Sequence, residues 1–100
     1  MKEISTTEAQ HLLENSSDHY LLDVRTSAEY QEGHLEGTYH IDIYAPGFEG
    51  RVKELPKDKP WLVYCRSGGR SATACQVMEP LGLDATNVVG GITAWRGKVV

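Results

Sequence analysis

The strongest constraint in this sequence is that its apolar runs are very short and feed straight into helix-start signals. Tyr20 to Val24 (YLLDV) is apolar except for Asp23, which forms a charged pair with Arg25 at the end of the run. Thr26 follows, with Glu29 three residues later. That spacing is a capping box, in which the Thr side chain accepts from the third helical amide and the Glu reaches back to the cap amide. A strand therefore runs directly into a short helix, and Gly33 is placed to end it. The pattern recurs at Trp61 to Tyr64 (WLVY), which enters a glycine-containing loop and then a helix over Ser71 to Leu81, interrupted near its end by Pro80 and closed by Gly82. Runs of this length are too short for core helices and suit strands buried on both faces.

Other segments fit the same scheme. Ser5 with Glu8 is a further capping box, opening a helix whose Ala9, Leu12 and Leu13 stand at i, i+3, i+4. Thr38 to Ile43 is β-branched and aromatic, which predicts a strand. Pro46-Gly47 marks a loop, and Phe48, Val52 and Leu55 have the i, i+4, i+7 spacing of an amphipathic helix. Pro56 to Pro60 is a polar turn, Asn87 to Val89 a short strand, and Gly90-Gly91 a turn into a last short helix around Thr93 to Trp95. Hairpin signals are absent. Strands separated by helices predict an α/β fold with a mostly parallel sheet. In such folds ligands bind beyond the carboxyl ends of the strands, which directs attention to the end of Trp61–Tyr64.

Composition narrows the function. A chain of 100 residues fits one domain, 1–100. Ten basic and 14 acidic residues give a net charge of -4, which argues against nucleic-acid binding. No apolar run approaches the ~20 residues of a membrane span, and the N-terminus lacks the apolar stretch of a signal peptide. The two cysteines, Cys65 and Cys75, are too few for a disulfide framework. Free thiols in a reducing, cytoplasmic setting are the expectation. The four histidines share no ligand spacing, so a metal site is not expected.

The chemistry concentrates in Cys65-Arg66-Ser67-Gly68-Gly69-Arg70-Ser71. A cysteine ends a buried strand, two glycines let the backbone curl with its N–H groups inward, two arginines flank them, and a helix begins at once. Each feature stabilises an anion at the sulfur, so Cys65 is expected to be a nucleophilic thiolate at neutral pH. Arg66 and Arg70 are candidate forks for the oxygens of an anionic donor. Ser67 and Ser71 are candidate donors to the sulfur, Ser71 also as a helix cap. Asp23 and Arg25 share the same crevice as possible supporting residues, with a structural ion pair the simpler reading. Glu29 reads as a capping residue, His34 as a hydrogen-bonding turn residue, Cys75 as core packing, and His40 as a weak candidate proton donor.

This loop resembles the active-site loop of the rhodanese family. Leu22-Asp23-Val24-Arg25-Thr26-Ser27-Ala28-Glu29-Tyr30 with Gly33-His34-Leu35-Glu36-Gly37 is similar to that family's N-terminal signature, and Gly90-Gly91-Ile92-Thr93-Ala94-Trp95 to its C-terminal one. The resemblance implies a five-stranded, largely parallel sheet with helices on both faces. It also implies a sulfurtransferase that carries sulfur as a Cys65 persulfide, without cofactor. The implied partners are a small anionic donor such as thiosulfate and a thiophilic acceptor, cyanide or a thiol, for instance on a thioredoxin-like protein. Independently of the resemblance, a monomer is the default expectation for a chain this small. Two alternatives stand beside it. Cysteine phosphatases and some arsenate reductases place five residues between the cysteine and an arginine, whereas here four separate Cys65 from Arg70. Regulatory rhodanese-like modules usually lose the cysteine, which this chain keeps.

Overall fold

A computed structural model describes all residues, Met1–Val100. Five strands form one sheet: β1 (Lys2–Ser5), β2 (Tyr20–Asp23), β3 (Tyr39–His40), β4 (Trp61–Tyr64) and β5 (Ala85–Val89). Their order is β1-β5-β4-β2-β3, and every neighbouring pair is parallel. Four helices connect them: α1 (Thr6–Asn15), α2 (Ser27–Glu32), α3 (Phe48–Lys53) and α4 (Gly69–Met78). Single 3-10 turns follow at Glu79–Leu81 and Ile92–Ala94.

The period-2 alternation of β4 divides the core. Trp61, Val63 and then Cys65 face one side, where they pack with Phe48 and Val52 of α3 and Ala74, Cys75 and Met78 of α4. Leu62 and Tyr64 face the other, with Ala9 of α1, Leu21, Leu35 and Val88. Helices thus cover both faces, and this is why all four residues of β4 are apolar and buried. Burying side chains of this size contributes about 1.5–3 kcal/mol each, so the central strand is the least movable part of the sheet.

Both capping boxes form as expected, Ser5 with Glu8 and Thr26 with Glu29. Other boundaries differ. β1 was not foreseen, because its residues KEIS lie at the sheet edge and only Ile4 is partly buried. The expected strand over Thr38–Ile43 contracts to Tyr39–His40. Ile41 and Ile43 still donate their amides to the Asp23 and Val24 carbonyls, but the chain then bends into a turn closed by Ala45 N–H on Asp42 O. β5 starts earlier than expected, at Ala85, and α4 starts at Gly69 rather than Ser71. The final helix is only a 3-10 turn, after which Trp95 packs against the α1-side cluster.

The connections position the site. From β2 the chain moves outward to β3, and from β4 it moves the opposite way to β5. A crevice must open between the carboxyl ends of β2 and β4, at the point where strand order reverses. Behind it the turn after β5 comes very close. Gly91 has φ +55°, and a Cβ there would lie 2.6 Å from the Arg66 carbonyl oxygen. Gly91→Ala should therefore destabilise the protein by about 2 kcal/mol or more in urea denaturation. Gly50→Ala, in α3 with open space around it, should be neutral or stabilise by about 0.5–1 kcal/mol.

Candidate active site

Cys65 leaves the end of β4 and is only 1% exposed. The next three peptide units are oriented from outside. The amides of Ile92, Thr93 and Gly90 donate to the carbonyls of Cys65, Arg66 and Ser67 at 3.0, 3.1 and 3.0 Å. Since a trans peptide sets its N–H opposite its C=O, the amides of residues 66 to 68 turn inward. Gly68, at φ +124°, completes the curl in a conformation that a side chain would strain. Its amide donates to Cys65 Sγ at 3.1 Å, and the Ser71 hydroxyl lies 3.3 Å from the same sulfur. Gly69 opens α4, whose positive dipole end faces the loop.

Burial pushes the Cys65 thiol up. Hydrogen bonds from the Ser71 hydroxyl and from the amides of Ser71, Gly68 and Ser67 outweigh it, and the net shift is downward. Cys75 meets burial without such donors, and its thiol is pushed up to about 12. The two thiols are therefore shifted in opposite directions, Cys65 down by its donors and Cys75 up by its burial in the core.

The arginines are disposed differently from their sequence reading. Arg70 Nη1 and Nη2 bind both carboxylate oxygens of Glu29 at 2.6 and 2.9 Å. Its fork is filled by Glu29 in this structure, so a donor's oxygens would have to compete with that carboxylate for it. Glu29 is also more than a cap. The Arg70 guanidinium pulls its carboxyl down from 4.5 to about 2, partial burial opposes this, and the Thr26 amide and hydroxyl assist it. Asp23 and Arg25 form a buried fork: Arg25 Nη2 lies 2.7 Å from Asp23 Oδ2 and donates also to the Gly33 carbonyl at 2.7 Å. They tie the end of β2 to the turn after α2, as the structural reading expected. Arg66 makes no ion pair and reaches into an open cleft of about 390 Å³, with Arg25, Glu29, Glu32, Gly33 and Thr93 on its walls. His34 donates from Nδ1 to Tyr30 O, and His40 from Nε2 to Arg25 O, with the Tyr30 ring stacked on both imidazoles. His40 Nε2 is thus engaged with the backbone at Arg25, and His40 does not line the cleft.

Ser71 is not the cap of α4; Gly68 occupies that position. Ser71 lies within the first turn, fully buried, with Asn87 Oδ1 2.5 Å from its hydroxyl. Asn87 Nδ2 in turn donates to Gly68 O at 3.1 Å and to the Glu3 carboxylate. Sequence reading had passed over Asn87, though a polar side chain inside the apolar strand ATNVV was the signal.

Residues 5–98 match the profile of the rhodanese-like domain. The chain belongs to the rhodanese-like domain family. YtwF of Bacillus subtilis, provisionally named a sulfurtransferase, is 36% identical over 98 residues, which cover 98% of this chain and 93% of that one. A protein of Allochromatium vinosum named a sulfurtransferase is 33% identical over 96 residues, covering 95% of this chain and 88% of its own. The crystal structure of a rhodanese-like domain protein from Staphylococcus aureus superposes with a TM-score of 0.86 at 31% identity, over 98% of this chain and 94% of that one. These relatives support a transferase of the sulfurtransferase kind.

Three outcomes follow for this rhodanese-like domain. Iodoacetamide at pH 7 should modify Cys65 and spare Cys75 in peptide mapping, and Ser71→Ala should move the pH midpoint of Cys65 alkylation upward. Glu29 has a folded pKa below its unfolded one, so its contribution is present above pH 4.5 and is lost as pH falls toward 2. Over that window the urea midpoint of wild type should fall more steeply than that of Glu29→Gln.

Proposed function

We propose that this rhodanese-like domain moves a sulfane sulfur from a donor such as thiosulfate to a thiophilic acceptor through a persulfide on Cys65. The observation that carries this reading is the Gly68 N–H donated to a single buried sulfur, with the Ser71 hydroxyl 3.3 Å from the same atom. In the first half-reaction the Cys65 thiolate attacks the outer sulfur of the donor. A new S–S bond forms at Sγ, the donor's own bond to that sulfur breaks, and its electron pair leaves with sulfite in the thiosulfate case. The negative charge has moved one atom outward and is held by the same inward-facing amides. In the second half-reaction cyanide or a thiolate attacks the outer sulfur, and the electron pair of the Sγ–S bond returns to Cys65. Two covalent half-reactions give ping-pong kinetics. The four-residue spacing from Cys65 to Arg70 favours a cradle for one added sulfur over one for a tetrahedral oxyanion. A thioredoxin-like thiol in the cytoplasm is the proposed acceptor, and the proposed working form is a monomer.

The test is intact-protein mass spectrometry after incubation with thiosulfate or an organic persulfide. Wild type should gain the mass of one sulfur atom and lose it on adding cyanide, while Cys65→Ser gains nothing. Sulfur retained by Cys65→Ser, or no adduct from either donor, overturns the reading.

A further inference from the structure

The mouth of the loop has two arginines in sequence, yet only one is free. Arg70 is held end-on by Glu29, both guanidinium nitrogens against both carboxylate oxygens, and the pair is about three-quarters buried on each side. Glu29 is itself anchored, because its Oε1 also receives the Thr26 amide and hydroxyl. The carboxylate cannot swing aside without breaking the cap of α2. An incoming anion must therefore displace a fixed internal competitor or do without this fork.

We propose that Glu29 is a specificity-determining residue: by occupying the Arg70 fork, it disfavours compact dianionic sulfur donors and tilts Cys65 toward donors with less charge beside the reacting sulfur, such as alkyl persulfides. This rests on the sulfur-transfer reading, but its central element, selection against anions at Cys65, can be measured without any sulfur donor. Glu29 stays ionised throughout the neutral range, so the restriction is built in rather than pH-gated.

The experiment compares alkylation of Cys65 by iodoacetate and by iodoacetamide, which differ by one carboxylate. Gln at position 29 preserves the capping box, since Gln serves at that position as Glu does. It weakens the grip on Arg70. Glu29→Gln should raise the iodoacetate-to-iodoacetamide rate ratio by about fivefold, the scale of a partly exposed ion pair. Glu32→Gln removes the same charge from the same cleft without touching Arg70, and should move the ratio by less than half as much. Adding Arg70→Ala to Glu29→Gln should erase the gain. Where thiosulfate is turned over, Glu29→Gln should lower its KM more than it changes kcat, and should leave the KM for an alkyl persulfide in place. An unchanged ratio in Glu29→Gln overturns the proposal, as does an equal rise in Glu32→Gln, which would mark a general field effect. If no sulfur donor works but the ratio shifts as expected, the anion filter stands and the sulfur-transfer reading fails.

Discussion

Everything at this site depends on three carbonyls being turned away from it. Cys65, Arg66 and Ser67 surrender their C=O groups to the amides of Ile92, Thr93 and Gly90, and only for that reason do their neighbours' N–H groups converge on Sγ. The sheet brings the two segments into register, because β4 and β5 are parallel neighbours that end at the same edge. Gly91 allows the approach, since any side chain there would collide with the loop's own backbone. The reactivity of the thiol is thus a property of the peptide framework first and of the arginines second.

This inverts the weight that the sequence suggests. Two arginines in seven residues invite an electrostatic explanation, but Arg70 is neutralised by Glu29, and only Arg66 is left unpaired at the cleft. What remains to lower the thiol is mostly neutral: amides, a hydroxyl and the end of a helix. Such donors have no long side chain to reorganise, which suits the proposed cycle, in which the charge shifts by one atom and returns.

Legibility tracked how local each cause was. The capping boxes, the WLVY strand and the loop after it were readable because their determinants lie within a few residues of each other. The Glu29–Arg70 pair was not, since its members are 41 residues apart and each had a sufficient local explanation. Asn87 was hidden for a similar reason: its three partners come from β1, the loop and α4. β1 itself carries almost no apolar signal, and its strand character comes from pairing with β5 along Lys2–Ser5. Thr38–Ile43 misled in the other direction, with a β-like composition on a sheet edge where only two residues find a ladder.

The dependence of the loop on the turn after β5 also bears on how the protein is made. Synthesis runs from the N-terminus, so Cys65 leaves the ribosome before residues 87 to 93, which hold its loop in shape. Until they arrive, the carbonyls of residues 65 to 67 have no partners and the amides have no reason to point inward. The inward-facing amides around Cys65 therefore assemble only once the turn after the last strand has docked.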